Sequence, residues 1–265
     1  MGGLTMSNAK GSLSVQNVSL VYGKGEKQVL ALDGISFDVR SNEFTVIVGP
    51  SGCGKSSLLY IAAGLNAATS GAILAGGHVV DEPGADRGMV FQSYTLFPWL
   101  TVRENVEYGL RRKGLPAAER ARITDHYLGE IGLAAFASHY PKQLSGGMMQ
   151  RVAIARALAN DPDILLMDEP FGALDSQTRH SMQKLLLRVW EHAHKTVAFV
   201  THDIDEAILL GDRVIVMTAR PGKVKADIRI GIPRPRAPEI ALEPEFIAIK
   251  RRILNELRGE IDEDH

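Results

Sequence analysis

The run Gly49-Pro50-Ser51-Gly52-Cys53-Gly54-Lys55-Ser56 fits G-x-x-x-x-G-K-[ST], a pattern with a direct chemical meaning. Glycines let the backbone curl until successive N–H groups face one centre, and a helix starting there adds the positive end of its dipole. Both favour phosphate oxygens. In that setting Lys55 reaches the β- and γ-phosphates of a nucleotide, the Ser56 hydroxyl ligates Mg²⁺, and Ser57 extends the same cradle. From residue frequencies, a chance match in a chain of this length arises in about 1% of sequences. Cys53 fills a wildcard place in which only its backbone is used, so its thiol is assigned no catalysis. A second candidate is Ile164-Leu165-Leu166-Met167 running into Asp168-Glu169. Coupled to the phosphate loop, Asp168 at a strand end can hold the Mg²⁺ shell, and Glu169 can orient and polarise an attacking water. A solvated acidic turn is the competing reading, and it suits Glu169 better than Asp168.

These groups need elements to position them. Residues 44–48, 164–167 and 196–200 are almost continuously apolar, as strands covered by helices on both faces must be, and 214–217 adds a fourth such run. Helical patterns over 55–64, 148–159 and 178–192 lie between them. The order predicts an α/β fold with an open, mostly parallel sheet and right-handed crossovers. Before it, residues 13–39 interleave apolar and polar residues, which predicts an antiparallel β subdomain. Residues 93–144 lack strand runs and carry helical patterns at 102–110 and 117–133, broken at Gly114 and Pro116, which predicts an inserted helical subdomain. The segment 233–244 is proline-rich, and beyond it Phe246, Ile249, Ile253, Leu254 and Leu257 share one helix face. The expected organisation is one domain over 12–230 with its helical lobe at about 93–158, then a linker and appended helix over 231–265, ending in a solvated acidic tail.

Composition narrows the class. The chain has 265 residues, and 30 Lys+Arg against 31 Asp+Glu leave a net charge of -1, which speaks against a globally basic nucleic-acid binder. No stretch approaches the roughly 18 apolar residues that a bilayer span requires. A single cysteine makes no internal disulfide, and the first six residues lack the basic and apolar regions of a secretory signal. Met6 breaks the myristoylation pattern, and Asn17-Val18-Ser19 as a glycosylation site would require secretion, so a cytosolic location is expected. His192 and His194 stand two apart and share no helix face, which excludes a metal site between them.

A phosphate loop and an acidic strand leave many nucleotidases open. Leu144-Ser145-Gly146-Gly147-Met148, directly before a helical run and some twenty residues before the acidic strand, narrows them. Together these motifs resemble the ATP-binding cassette (ABC) family, whose signature reads LSGGQ; here Met148 takes the last place. The resemblance implies a P-loop NTPase of the ABC ATPase type that uses ATP and Mg²⁺. It implies that Tyr22 stacks on adenine, that Gln92 touches Mg²⁺ and the attacking water, and that His202 senses the γ-phosphate. Ala173-Leu174-Asp175 matches the family's D-loop. Catalytic roles then fall on Glu169, His202, Lys55 and Gln92, and metal binding on Ser56, Gln92 and Asp168. Nucleotide contacts fall on Tyr22, on Gly49, Pro50, Ser51, Gly52, Cys53, Gly54, Lys55, Ser56 and Ser57, and on Ser145, Gly146 and Gly147. Taken one at a time, Tyr22 serves equally as a packing residue, and Gln92 and His202 as ordinary polar loop residues; their order and flanks favour the family roles.

Ser145-Gly146-Gly147 at a helix N-terminus is a second anion site with no phosphate source in its own neighbourhood. In ABC proteins this element caps the ATP held by another cassette, so the resemblance implies a homodimer with two composite sites. The stretches 83–92, 96–102 and 168–175 are similar to bacterial importer ATPases of the nitrate/sulfonate/taurine group. That similarity implies a separate integral-membrane permease, a periplasmic solute-binding protein, no nucleic-acid partner, and a peripheral position on the cytoplasmic face of the bacterial inner membrane. Phe97 and Trp99 are then expected to meet the permease, with Leu96 and Leu100 packed inside the lobe. Taurine or another alkanesulfonate is the first expectation for the solute, and nitrate the second. The rival readings are a non-transport ABC ATPase acting on DNA or ribosomes, and an exporter's nucleotide-binding domain. A single cassette, a short lobe and near-neutral charge weigh against the former, and the absence of fused spans against the latter.

Overall fold

The computed structural model describes residues 10–193 and 195–261; the first nine residues, His194 and the acidic tail from Asp262 onward lie outside the described residues. In chain order the strands are β1 (Leu13–Tyr22), β2 (Val29–Val39), β3 (Phe44–Val48), β4 (Ser70–Ala75), β5 (His78–Val79), β6 (Arg87–Val90), β7 (Ile164–Asp168), β8 (Thr196–Val200), β9 (Arg213–Met217) and β10 (Val224–Arg229). The helices are α1 (Lys55–Ala62), α2 (Val102–Arg112), α3 (Ala117–Glu130), α4 (Gly146–Ala159), α5 (Ser176–Ala193), α6 (Ile204–Leu210) and α7 (Pro244–Ile261).

Two sheets result, one of four strands in the order β2-β1-β4-β5 and one of six in the order β10-β9-β3-β8-β7-β6. The smaller is antiparallel; the larger is parallel except where β10 meets β9. Strands β3, β7 and β8 are buried at every position, which explains why their apolar runs do not alternate. Their successive side chains feed two cores. Phe44, Val46, Leu165, Met167, Val197 and Phe199 enter a core shared with α2 to α7, whereas Ile47, Ile164, Leu166, Ala198 and Val200 enter one shared with β1, β2, β4 and α1. The mostly parallel α/β sheet with an antiparallel companion is therefore as the sequence predicted.

Several bounds differ from the sequence reading. Helix α4 starts at Gly146 rather than 148, because the Ser145 hydroxyl caps it, accepting from the Met148 N–H at 3.3 Å. Strands β5 and β10 gave no apolar run to read: β5 is two exposed residues, and one residue of β10, Ile228, is fully buried. On α7, Phe246, Ile253 and Leu257 are buried against the sheet. The linker before it is pinned by Arg236, a buried guanidinium that donates to the carbonyls of Ile208 and Gly211 at the end of α6 and to that of Ile232. Among the described residues no helix is long and apolar enough to cross a membrane.

Candidate nucleotide site

Residues 49–54 join the central strand β3 to α1, so the loop sits at the C-terminal edge of the parallel sheet and at a helix N-terminus. Gly54 caps α1 with φ +100°, and a Cβ there would lie 2.6 Å from Leu32 Cδ2, so a side chain is excluded on both counts. With no side-chain cap at Gly54, the first-turn N–H groups of α1 are left for an anion. Lys55 is buried, and its Nζ donates to the carbonyls of Gly49 and Pro50, at 2.8 Å each. Among the described residues no carboxylate lies within ion-pair distance of it. Its donors are therefore held by carbonyls that a phosphate can replace. The Cys53 thiol is buried, and burial pushes its pKa up, which leaves it a poor nucleophile.

Asp168 ends β7 with 1% exposure, and its Oδ1 accepts from the Ser56 hydroxyl at 2.8 Å. Its Oδ2 is buried with no hydrogen-bond partner. A buried acceptor left unsatisfied costs ~1–3 kcal/mol, more when charged. Burial accordingly pushes the Asp168 carboxyl up, with the Ser56 and Tyr60 hydroxyls working against it. A carboxylate oxygen lacking a donor, beside a serine hydroxyl, is a donor set for a hard divalent cation, so these residues fit Mg²⁺.

Glu169 follows with φ +41°, an uncommon conformation for a non-glycine residue, and its N–H donates to the Val200 carbonyl at 2.9 Å. This turn aims its side chain across to β8. There His202 Nδ1 donates to Glu169 Oε2 at 3.1 Å. The pairing follows from register: Asp168 lies opposite Val200 in the parallel β7–β8 ladder, so the two chains leave the sheet together. Gln92 reaches the same edge, because Val90 lies opposite Met167 in the β6–β7 ladder; its side chain is exposed and makes no hydrogen bond among the described residues. Tyr22, at the end of β1, is 45% exposed and donates through its hydroxyl to Ser57 Oγ at 3.0 Å.

The structure thus gathers Tyr22, the 49–57 segment, Gln92, Asp168, Glu169 and His202 at one edge. It does not join Ser145, Gly146 and Gly147 to them: among the described residues no hydrogen bond or ion pair links those three to the phosphate loop, Glu169 or His202. Met148 is half-buried against the larger core, so it contributes packing at the place where the family signature has glutamine. Sequence reasoning missed Arg220, whose Nε and Nη2 donate to the Gly52 carbonyl at 3.3 and 3.1 Å across 168 residues of chain. No motif or periodicity near Arg220 signals that contact.

Residues 32–172 match the family model described as ABC transporter. The chain is 51% identical over 252 residues to an uncharacterised ABC transporter ATP-binding protein of Methanocaldococcus jannaschii, covering 95% of this chain and 93% of that one. It is 45% identical over 258 residues to a nitrate import ATP-binding protein of Synechocystis, covering 95% and 97% of the two chains. It is also 45% identical over 249 residues to a taurine import ATP-binding protein of Roseobacter denitrificans, covering 92% of each. Among solved structures, a dimeric ATP-binding cassette in a post-hydrolysis state with ADP and Pi is 38% identical, with a TM-score of 0.73 over 82% of this chain and 98% of that one. With relatives matched along nearly its whole length and a phosphate loop, acidic strand and fold of the same kind, this chain belongs to the ABC transporter ATP-binding family and is an ATPase on an α/β P-loop fold.

Proposed function

We propose that this chain works as a homodimer beneath a separate membrane permease and hydrolyses ATP to drive import of a small anion of the nitrate, sulfonate or taurine type. The observation that carries the reading is the end of β7, where an unpartnered Asp168 oxygen beside Ser56 is followed at once by the Glu169–His202 pair. Lys55 and the N–H groups of residues 49–57 bind the phosphates, while Tyr22 offers its exposed ring to adenine. Ser56, Asp168 and Gln92 hold Mg²⁺, which when bound neutralises charge on the phosphate oxygens. Glu169 orients the attacking water and accepts its proton, and His202 keeps that carboxylate aimed. Ser145, Gly146 and Gly147 of a second copy close over the nucleotide, so that hydrolysis governs association and release of the two copies.

The assigned unit is an ABC ATPase domain over 12–230 with a helical lobe at about 93–158, followed by the linker and helix. Trp99, 70% exposed, and Phe97, in contact with the Tyr108 ring and the Arg156 guanidinium, form the permease-facing patch at the entrance of that lobe. Leu96 is packed against the larger core, away from that role. A periplasmic solute-binding protein delivers the anion, and the ATPase sits peripherally on the cytoplasmic face of the inner membrane. The test is ATPase turnover of the complex reassembled with its permease and binding protein. Taurine, another alkanesulfonate or nitrate is expected to stimulate it; stimulation by none of these, or recovery of ribosomes or DNA instead of a permease from cells, would sink the assignment.

A further inference from the structure

Residues 218–223, just beyond β9, close on themselves and are stitched to β2. The Thr218 hydroxyl donates to the Pro221 carbonyl at 2.9 Å and accepts from the Lys223 N–H at 2.8 Å. The Gly222 N–H donates to the Ala31 carbonyl at 2.9 Å, the Asp33 N–H donates to the Gly222 carbonyl at 3.0 Å, and Lys223 pairs with Asp33 at 2.8 Å. The turn also lies against the phosphate loop, so closely that a Cβ on Gly222 would collide with the Cys53 carbonyl. From this bracket Arg220 reaches over and donates twice to the Gly52 carbonyl.

The Gly52 C=O and the Cys53 N–H belong to one planar peptide unit and point in opposite directions. Fixing the direction of the oxygen therefore fixes that of the N–H. The Cys53 N–H faces the Pro50 carbonyl, at 3.4 Å, the same carbonyl that accepts from Lys55 Nζ. A bond that long is weak, and the N–H is easily given up to a better acceptor such as a phosphate oxygen. We propose that Arg220 is a positioning residue for nucleotide binding: anchored by the 218–223 bracket, it holds the Gly52–Cys53 peptide so that the Cys53 N–H is presented to the phosphates before ATP arrives. The inference rests on the reading of residues 49–56 as the phosphate site.

The test compares ATP and ADP affinities, by calorimetric titration, in the full chain and in Arg220→Gln, Arg220→Lys and Thr218→Val, with Lys55→Ala as the control for the loop itself. Arg220→Gln is expected to weaken ATP and ADP by the same factor, about three- to tenfold, as the loss of a charged donor on a solvent-facing carbonyl would do. Arg220→Lys should recover part of that affinity, and Thr218→Val, which loosens the bracket without touching the loop, should show a smaller loss of the same kind. In steady state the KM for ATP should rise by more than kcat falls. Unchanged affinities in Arg220→Gln, weakening of ATP alone, or a fall confined to kcat would each overturn the proposal. Full affinity in Lys55→Ala would instead overturn the phosphate-site reading beneath it.

Discussion

Helices α1 and α4 both have a small N-cap residue, Gly54 and Ser145, yet their N-termini are furnished in opposite ways. The start of α1 has no side-chain cap of its own and is surrounded by groups from elsewhere: Tyr22 from the end of β1, Asp168 from the end of β7, and Arg220 from the turn after β9. The start of α4 is capped by its own Ser145, and none of those groups is bonded to it among the described residues. The difference is topological. A parallel sheet collects the C-terminal ends of β3, β6, β7 and β8 at one edge, so whatever follows each strand converges there. Helix α4 instead starts from the segment after α3, off that edge. One terminus gathers groups from several elements, and the other, in the function proposed above, waits for a second copy's nucleotide.

Three substitutions probe that contrast, the largest effect first. Glu169→Gln keeps the shape of the α1 site but removes the proposed base, so turnover should fall by about 10²–10⁴-fold. ATP-dependent dimers should then accumulate on size-exclusion chromatography, because the end of α4 still engages; dimers that do not form would break the picture of two complementary termini. Lys55→Ala strips the α1 terminus of its buried ammonium and should cost ~2–5 kcal/mol of ATP affinity, read by calorimetry. If Ser145 serves the second copy as proposed, Ser145→Ala should leave the nucleotide affinity of the isolated chain within about twofold while lowering turnover by about tenfold or more. It should also lower the stability of the chain by ~1 kcal/mol through the lost helix cap, read as a small drop in Tm. A Ser145→Ala chain with impaired ATP binding as a monomer would place α4 in the same site as α1 and abolish the distinction.

Much of this arrangement was legible because it is local. The phosphate loop, Asp168 and Glu169 stand at the ends of apolar runs whose burial on both faces is written in their composition, and β3 and β8 match those runs residue for residue. The expected strands omit β4, although its residues 72–75 are apolar, and β6; two further strands have no local imprint at all. Strand β10 pairs with β9 through backbone bonds that any residue supplies, and β5 is two residues long. The start of α4 was misplaced by two residues because Gly146 and Gly147 are poor helix formers by propensity, whereas the Ser145 cap and the burial of Gly147 decide the matter. The appended helix declared its buried face through Phe246, Ile253 and Leu257, but Arg236, in the linker before it, gave no sign that it would be buried over the carbonyls that end α6.

The sequence by itself determined which chemistry is possible: a lysine and a serine after a glycine-rich turn, and two adjacent carboxylates after a buried strand, specify phosphate and metal binding wherever they meet. Only the tertiary structure decided that they do meet. The parallel register brings His202 to Glu169 and Asp168 to Ser56, and it leaves Ser145 outside. It also sets an arginine 168 residues away in the chain over the carbonyl of Gly52. The reason is that side-chain chemistry is a property of each residue, whereas the direction of a peptide plane or a carboxylate is set by neighbours that are close in space and distant in the chain.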